Sequence, residues 1–389
     1  MIFRDMDLDK IKTPCYIVDE RLVRKNMEIL KNVMDMTGCK ILLAQKGFSM
    51  YALYSLMSSY LVGTTASSLN EAILGHEKFP GEVHIFNPAY REDDMENILE
   101  ITDHIVFNSF TQWYKYKNMV HKAEEKRDCH ISCGLRINPE YSTGDHAQYD
   151  PCKEGSRLGI TIGNFEKALN EGMTLEGIEG LHFHTLCEQN SDDLEETLKA
   201  VEEKFGKYIM GMKWLNFGGG HHITREDYDI ARLIRLINYI QDKYKVTVYL
   251  EPGEAAVLNS GFLVSTVLET MENGMNIAIL DTSAACHMPD VIEMPYRPFI
   301  ISSGEPCEKK YTYRLGGPTC LAGDIIGDYS FDERLIEGDK LIFTDMAHYS
   351  MVKNNTFNGI NLPDICVYSE KEGFKVVKTF GYEDFKGRL

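Results

Sequence analysis

The chain has 389 residues, of which 43% are hydrophobic and 26% charged, and its formal net charge at pH 7 is −18. This length allows a large core and two domains, and the acidic balance argues against nucleic acid or an anionic membrane surface as a partner. No stretch approaches the roughly 20 apolar residues of a membrane span, and the first residues lack the apolar segment of a signal peptide. The ten cysteines lack the paired spacing of zinc motifs, so we expect free thiols in a reducing cytoplasm.

A short strand-like segment, residues 13–18, precedes a regular alternation of apolar runs and longer segments with helical periodicity. The eight apolar runs are residues 40–47, 61–67, 83–89, 104–109, 133–139, 180–186, 214–220 and 246–253. Eight strands that alternate with helices predict a (β/α)8 TIM barrel, and an open doubly wound sheet is the alternative.

The pattern changes after about residue 264, where strand-like runs follow one another without helices between them. These runs are residues 276–281, 311–315, 340–344 and 365–368. They predict a C-terminal antiparallel β domain. We therefore predict a barrel over residues 21–263 and a β domain over 264–389. We expect residues 1–20 to join the β domain, because chain termini often lie near each other.

Unusual residues collect at the ends of six of the eight predicted barrel strands, which is where barrel active sites lie. They are Lys46, Asn87-Pro88, Arg136, His182 with His184, Gly218–Gly220, and Glu251. Packing alone does not explain six such positions at equivalent places, so the set predicts an active site.

Lys46 ends an apolar strand and has two interpretations. Burial lowers the pKa of an amine and exposes its lone pair, which suits a Schiff base with a carbonyl group. The ordinary alternative is a lysine whose stem lies on apolar surface while its charge reaches water. The glycines Gly218–Gly220 likewise offer bare backbone amides that suit a phosphate, or else form only a tight turn.

Glu251, in the segment LEPG, could face the ring nitrogen of a bound pyridine and keep it protonated; a helix cap or an ion pair is the alternative. His182 and His184 are two apart on a strand and so face the same side. One of them could stack on a flat cofactor ring, or the pair could bind zinc as in barrel metallohydrolases. No carboxylate or cysteine set completes a tetrahedral shell, so we predict no metal, and His182 could also be purely structural.

Together, the lysine of strand one, the histidine of strand six, the glycines of strand seven and the EPG of strand eight resemble the fold-type III pyridoxal 5'-phosphate decarboxylases. This group includes the ornithine, arginine and diaminopimelate decarboxylases and, more distantly, the alanine racemases. Residues 317–324, GPTCLAGD, resemble the motif that this family inserts into the partner subunit's active site. Residues 347–349, AHY, resemble the site of its phosphate-binding tyrosine.

The resemblance implies a pyridoxal phosphate cofactor bound to Lys46 and a homodimer with shared active sites. It implies that His184 stacks on the cofactor ring, that Glu251 faces the ring nitrogen, and that Cys320 of the second subunit reprotonates the α-carbon. The implied phosphate contacts are Gly218, Gly219, Gly220 and Tyr349, with Arg136 supporting the cofactor.

Two departures narrow the family. Glu254 stands where ornithine- and diaminopimelate-type enzymes have an arginine, and Leu321 stands where they have an acid. These departures, with stretches such as LHFHTLCE, WLNFGGGHHIT and VKNNTFNGI, resemble the carboxynorspermidine (carboxyspermidine) decarboxylases of polyamine biosynthesis. That branch would release norspermidine or spermidine, which differ by one methylene that a pocket discriminates weakly.

A cationic polyamine substrate would be recognised by carboxylates through charge-assisted hydrogen bonds. The candidates are Glu254, Asp290 and Asp324, and the alternative for each is a solvated or ion-paired acid.

Three other functions stay open: a diaminopimelate decarboxylase of the same fold, a zinc-dependent barrel hydrolase, and a non-catalytic pyridoxal phosphate carrier. Carriers lack the β domain and the GPxC motif, which argues against the last.

Overall fold

The computed structural model describes residues 8–144 and 150–389, so the first seven residues of the predicted N-terminal part lie outside the described chain. The chain divides into two compact units. One contains the residues up to Lys25, Gly47–Ser49 and Val257–Leu389, and the other contains Asn26–Lys46 and Met50–Ala256. The chain opens with β1 (Cys15–Asp19) and α1 (Glu20–Thr37).

The second unit is built from parallel strands that alternate with helices. Its strands are β2 (Lys40–Ala44), β3 (Gly63–Ala66), β4 (Glu82–Phe86), β5 (His104–Phe107), β6 (Ser132–Asn138), β7 (Ile160–Thr161), β8 (Gly180–His182), β9 (Trp214–Asn216) and β10 (Thr247–Leu250). Its helices after α1 are α2 (Tyr54–Met57), α3 (Leu69–Lys78), α4 (Glu92–Ile101), α5 (Phe110–Arg127), α6 (Ile162–Asn170), α7 (Ser191–Ile209), α8 (Ile230–Tyr244) and α9 (Glu254–Val257).

The strands close into a barrel in the order β5-β4-β3-β2-β10-β9-β8-β6, and β6 pairs back with β5. Each of the eight predicted strand runs overlaps one of these strands, so the predicted barrel is confirmed and the open sheet is excluded. The strands are buried on both faces, as all seven residues of β6 are, which is why they appear as continuous apolar runs in the sequence.

The helices show why the alternation of strands and helices can be recognised in the sequence. In α8 the buried residues are Leu233, Ile237, Ile240 and Tyr244, a spacing of three or four residues that forms one apolar stripe. The Asp229 side chain caps the start of this helix by accepting a hydrogen bond from the amide of Arg232 at 2.9 Å. Such a cap satisfies one of the amides that the first turn leaves unpaired.

The amino-terminal end of the barrel is closed by polar groups that meet on Glu82, the first residue of β4. Its carboxylate accepts hydrogen bonds from Lys40 at 2.5 Å and from the hydroxyl of Tyr249 at 3.1 Å, and it lies 2.9 Å from Nε2 of His84. Burial alone would raise the pKa of Glu82, but His84 and Lys40 outweigh it and lower the pKa to about 2. The negative charge of Glu82 at this end of the barrel is therefore stabilised by side chains of the barrel itself.

The first unit is a sheet of eight strands. Its strands after β1 are β11 (Gly261–Glu272), β12 (Asn276–Leu280), β13 (Tyr311–Gly316), β14 (Ile325–Phe331), β15 (Lys340–Thr344), β16 (Asp364–Ser369) and β17 (Gly373–Lys378). Its helices are α10 (Ala284–His287), α11 (Asp290–Glu293) and α12 (Tyr382–Lys386). The order is β14-β13-β12-β11-β1-β16-β17, with β15 paired to β11.

Most neighbours in this sheet are antiparallel, in agreement with the predicted C-terminal sheet domain, but β1 with β16 and β12 with β13 are parallel. The strand β1 lies between β11 and β16, opposite Val264 and Asp364 at Cys15. Its successive residues enter different apolar clusters, Tyr16 in one and Cys15 with Ile17 in the other, as expected for the two faces of a sheet. Division of the chain at residue 264 stays a prediction, and β11 begins at Gly261.

None of the helices in the described part of the chain has the length and apolar character needed to cross a membrane.

One position inside the barrel, Gly180, has room only for glycine. Trp214 belongs to a buried cluster inside the barrel, and its indole nitrogen donates to Oγ of Ser132 at 2.8 Å. A Cβ atom on Gly180 would overlap this indole ring. We expect Gly180→Ala to lower the free energy of unfolding by about 1–3 kcal/mol, because the pinned ring cannot move away cheaply.

The matched control is Gly163→Ala in α6, where a Cβ atom meets nothing within 4 Å. That change should be neutral or stabilise by up to about 1 kcal/mol, because alanine is the better helix former. Urea unfolding of the two variants measures both effects, and equal midpoints would contradict the packing argument.

Candidate active site

The carboxyl ends of the barrel strands bring the predicted residues of this unit together. Lys46 follows β2 by two residues, and Arg136 lies in β6. His182 ends β8, and Glu251 directly follows β10. Because the strands are parallel and the barrel is closed, these positions share one mouth.

Glu251 is the most constrained group of this mouth. It is 8% exposed, and its two oxygens contact Nδ2 of Asn216 at 2.8 Å and Nε2 of His182 at 3.2 Å. Burial alone would raise the pKa of Glu251, but these two neighbours outweigh it and hold the pKa at about 2. Glu251 is therefore a carboxylate at neutral pH.

The partner His182 is a neutral imidazole, because burial lowers its pKa. Its hydrogen bond to a carboxylate requires the proton on Nε2. The other nitrogen, Nδ1, has no hydrogen-bond partner among the described residues, and a bare lone pair is the less costly atom to leave unpaired. The ring also stacks on Phe86 at 5.6 Å between centroids. His182 thus orients Glu251.

His184 has a different hydrogen bond and a different task. Its Nδ1 accepts from the amide of Gly219 at 2.9 Å, which again places the proton on Nε2. Burial and the positive charge of Lys46 lower its pKa well below the usual value. The half-buried ring is therefore neutral and held at a fixed angle, as stacking on a cofactor requires.

Lys46 is solvent-exposed yet stands among protein charges, as a side chain inside a water-accessible cleft does. Desolvation by the surrounding protein and the charge of Arg136 lower its pKa, while Glu251 acts in the opposite direction. A larger share of the amine is thereby uncharged and nucleophilic near neutral pH.

Arg136 is 6% exposed, and its guanidinium lies 4.5 Å from the centroid of the Phe86 ring. It donates to the carbonyl oxygen of His184 at 3.3 Å. Burial lowers its pKa to about 10, so it remains a cation at neutral pH. Arg136 therefore supplies the positive charge that depresses the pKa of Lys46.

The glycine loop is required by geometry as well as by chemistry. Gly218 and Gly220 have φ values of 70° and 81°, a conformation that favours glycine. A Cβ on Gly219 would lie 2.6 Å from the carbonyl oxygen of Glu251. The amide of Gly218 donates to Oδ1 of Asn216 at 2.8 Å, and that of Gly219 to His184.

Two of the three amides predicted to hold a phosphate are thus already engaged by side chains. The amide of Gly220 has no acceptor among the described residues, so any phosphate contact from these three amides falls to Gly220.

Two charged or polar groups of this mouth were missed in the sequence. Asn216 links Glu251 to the glycine loop, and its place two residues before the glycines was the available signal. Glu71 interacts electrostatically with Lys46, and burial raises its pKa. In the sequence, Ser68 and Glu71 have the spacing of a helix capping box, and the side chain of Ser68 does cap α3, so no local pattern marks Glu71 as a site residue.

The zinc interpretation finds no support in this geometry. Within residues 8–144 and 150–389, two groups of three side chains have ligand atoms that converge within 4.8 Å. They are Glu82 with His84 and His104, and Glu188 with His222 and Glu254. Neither group contains His182 or His184.

A family model for pyridoxal-dependent decarboxylases, described by their C-terminal sheet domain, matches residues 15–347. The chain belongs to this family. It is 44% identical, over 98% of its length and 100% of the relative, to carboxynorspermidine/carboxyspermidine decarboxylase from Campylobacter jejuni. It is 40% identical, over 100% of its length and 98% of the relative, to carboxyaminopropylagmatine decarboxylase from Synechocystis.

Solved structures agree with the decarboxylase family. The structure of Campylobacter jejuni carboxynorspermidine decarboxylase complexed with norspermidine superposes with a TM-score of 0.89 at 43% identity, and covers 97% of this chain and 100% of that one. Diaminopimelate decarboxylase from Helicobacter pylori, with a TM-score of 0.82 at 16% identity over 98% and 99% of the chains, shares the fold.

The cofactor of this decarboxylase family is pyridoxal phosphate, and the residues at the barrel mouth fit it. Lys46 offers an amine with a lowered pKa, and Glu251 offers an ionised carboxylate for a pyridine nitrogen. His184 offers a neutral ring at a fixed angle. The zinc-dependent hydrolase is therefore set aside.

The predicted substrate-binding acids of the sheet unit are paired with other residues of that unit. Asp324 is 3% exposed, and its oxygens accept from Oγ of Ser283 at 2.9 Å and from Oγ1 of Thr319 at 2.6 Å. Asp290 forms an ion pair with Lys353, which is the alternative that the sequence left open. Both carboxylates are occupied within their own unit, so a substrate role for either stays an untested prediction with little support here.

Cys320 and Tyr349 lie on loops of the sheet unit. Cys320 is exposed, and its amide donates to Oδ1 of Asn358 at 2.9 Å. Tyr349 has a φ of 48°, and its amide donates to the carbonyl oxygen of Gly47 at 2.9 Å. Gly47 directly follows Lys46 in the chain. The roles of Cys320 and Tyr349 stay predictions.

The two charges beside Lys46 should shift its pKa in opposite directions. We expect Arg136→Met to raise this pKa, because a cation that disfavours the ammonium is removed. Glu251→Gln should lower it further, because the removed anion favours the ammonium. The pH dependence of trinitrobenzenesulfonate labelling at Lys46 in cofactor-free protein, read by mass spectrometry, measures both shifts.

The control is Arg232→Met on α8, which removes the same charge from an arginine that is ion-paired with Asp192, Glu195 and Asp229. It should leave the labelling midpoint unchanged, and a midpoint that Arg136→Met also leaves unchanged would refute this account of the site's electrostatics.

Proposed function

We propose that this decarboxylase acts on carboxynorspermidine, carboxyspermidine or both, and releases norspermidine or spermidine together with CO2. The observation that carries the proposal is the 44% identity, over nearly the whole chain, to the Campylobacter jejuni decarboxylase of that name. A half-buried carboxylate, Glu254, begins α9 at the barrel mouth and supports a cationic substrate.

Carboxyaminopropylagmatine is a second candidate substrate, because a relative with that activity in its name is 40% identical over the whole chain. As their names indicate, the three compounds share a carboxylated aminopropyl head and differ in the cationic tail. The head reacts in each case, so the candidates require the same chemistry and differ in tail recognition. Diaminopimelate decarboxylase is less favoured, since a relative of that name is 24% identical.

Bound pyridoxal phosphate supplies an electron sink for the bond that breaks as CO2 leaves. The ionised carboxylate of Glu251, steadied by His182 and Asn216, would hold a proton on the cofactor's ring nitrogen. The neutral ring of His184 would cover one face of the cofactor, and the amine of Lys46 would anchor it. The phosphate contacts would come from Gly220 and, by resemblance, from Tyr349.

Cys320 is the proposed acid that returns a proton to the α-carbon, and it would act from a second copy of the chain. Both Cys320 and its neighbour Leu321 are exposed, and Leu321 is 44% exposed. Asp324 holds this loop by its hydrogen bonds to Ser283 and Thr319. An exposed thiol and an apolar side chain on a braced loop suit insertion into a partner subunit, which supports a homodimer.

The thiols support the predicted reducing cytoplasm. All ten cysteines lie in the described chain and are free. Cys15 and Cys366 are close enough that a hydrogen bond between their thiols, together with burial, raises the pKa of Cys15. Free thiols are the ordinary state of cysteine in reducing surroundings.

The activity is tested by incubating purified protein with carboxynorspermidine, carboxyspermidine and carboxyaminopropylagmatine, separately and in competition, while CO2 and the amine products are measured. We expect CO2 release with the first two.

Lys46→Ala should lower the rate by roughly 10³-fold or more, because it removes the residue that holds the cofactor. It should also remove the visible absorbance of lysine-bound pyridoxal phosphate. Retained decarboxylation in this variant would sink the assignment of Lys46.

Shared active sites are tested by mixing two inactive variants, Lys46→Ala and Cys320→Ala. If each site takes Lys46 from one subunit and Cys320 from the other, the mixed dimer contains one intact site. We then expect recovery of up to about a quarter of wild-type activity from random exchange. No recovery after subunit exchange has been verified by native mass spectrometry would count against the shared site.

A further inference from the structure

The loop that carries Cys320 is held at two points by side chains of its own unit. Just before the cysteine, Oγ1 of Thr319 donates to Oδ2 of Asp324 at 2.6 Å. At the cysteine itself, the backbone amide donates to Oδ1 of Asn358 at 2.9 Å. The first contact is local, whereas the second joins positions 38 residues apart. Asn358 therefore fixes the peptide plane that leads into Cys320.

Asn358 has a backbone conformation that few residue types adopt. Its φ is 55° and its ψ is 12°, in the left-handed region, which Asn and Asp tolerate better than other side chains do. Glycine adopts this conformation more easily still, but glycine has no side-chain acceptor. The position thus combines a left-handed backbone with a side-chain oxygen aimed at the amide of Cys320.

The turn around Asn358 is itself anchored on helix α10. The amide of Asn355 donates to the carbonyl oxygen of Cys286 at 2.9 Å. The side-chain Nδ2 of Asn355 donates to the carbonyl oxygen of Ala285 at 2.8 Å, and its Oδ1 accepts from the amide of Phe357 at 3.0 Å. These three hydrogen bonds fix the residues that precede Asn358.

The other holding point of the loop leads to the same helix. Asp324, which is 3% exposed, accepts from Oγ of Ser283 at 2.9 Å and from the amide of Ala285 at 3.2 Å. Asp324 and Asn358 therefore hold the loop from one common support. Cys320 is nevertheless exposed, and a fixed backbone beneath an exposed side chain is what precise placement of a reacting group requires.

We propose that Asn358 is a positioning residue for Cys320, because its side-chain oxygen fixes the main chain from which the thiol acts. This inference rests on the proposed function, in which Cys320 returns a proton to the α-carbon. In that step the S–H bond breaks and a C–H bond forms with the electron pair that CO2 leaves behind. The thiolate then regains a proton from water.

Two substitutions separate the acceptor of Asn358 from its backbone conformation. Asn358→Gly keeps the left-handed backbone and removes the acceptor, whereas Asn358→Asp keeps both. We expect Asn358→Gly to lower kcat for carboxynorspermidine about tenfold or more, with KM changed less than twofold, because a displaced group reacts slowly without weakening substrate binding. Asn358→Asp should recover most of that loss, and equal losses in the two variants would overturn the proposal.

The matched control is Asn259→Gly. Asn259 is exposed and has the same φ of 55°, so this variant makes the same chemical change at another left-handed asparagine. It should leave kcat and KM unchanged. A loss of kcat in Asn259→Gly equal to that in Asn358→Gly would contradict a specific role for Asn358.

A double-mutant cycle distinguishes a positioning role from general support of the fold. If Asn358 acts through Cys320, its substitution has little left to disturb once the thiol is gone. Asn358→Gly should therefore lower kcat less than twofold in a Cys320→Ala background. An undiminished tenfold loss in that background would show that Asn358 acts independently of Cys320 and would overturn the proposal.

Hydrogen exchange of the Cys320 amide tests the contact in cofactor-free protein, without reference to activity. Asn358→Gly should speed exchange at this amide about tenfold, because the amide loses its acceptor. Asn358→Asp and Asn259→Gly should exchange as the wild type does. Mass spectrometry with fragmentation to single amides measures the rates, and an unchanged rate in Asn358→Gly would overturn the proposal.

The outcomes separate this inference from the proposed function. Wild-type protein that releases no CO2 from any of the three substrates would refute the proposed function, and the positioning role with it. Wild-type activity together with an unchanged kcat in Asn358→Gly would refute the positioning role alone.

Discussion

Glu251 is a carboxylate whose pKa burial alone would raise, and hydrogen bonds from Asn216 and His182 keep it ionised at neutral pH. The rest of the mouth is arranged around that charge. The Oδ1 atom of Asn216 accepts a hydrogen bond from the amide of Gly218, so the side chain that holds Glu251 also holds the glycine loop. Burial and Arg136 lower the pKa of Lys46, and the negative charge of Glu251 acts in the opposite direction. The geometry of the mouth thus depends on one buried charge that two neutral donors stabilise.

Three histidines at this mouth differ in role because their hydrogen-bond partners differ. His182 donates to a carboxylate, His184 accepts from a backbone amide, and His222 accepts from a guanidinium. In each case the partner decides which ring nitrogen carries the proton. The first orients Glu251 and the second holds a flat neutral ring. The third leaves an N–H group that faces the Glu254 carboxylate at 3.3 Å.

The fold was readable from the sequence to the extent that burial leaves a local pattern. The barrel strands are buried on both faces, so each appears as an apolar run, and helices such as α8 show one apolar stripe. In the sheet unit, strands β11, β14 and β17 were missed: β11 crosses the predicted domain boundary at residue 264, β14 contains a glycine and an aspartate, and β17 is largely exposed. The same limit applies to the site: Asn216 and Glu71 carry no local sign of the distant groups they contact.

The sequence by itself determined the barrel and the lysine, acid, histidine and glycines at matching strand ends, because the strand–helix period and the residue types are local properties of the chain. It also singled out Glu254 as an unusual acid. Only the tertiary structure decided the partners of the other two candidate acids, since Asp290 forms an ion pair with Lys353 and Asp324 accepts hydrogen bonds from Ser283 and Thr319. Lys353 lies 63 residues from Asp290 and Ser283 lies 41 residues from Asp324, so no local pattern records these two partners.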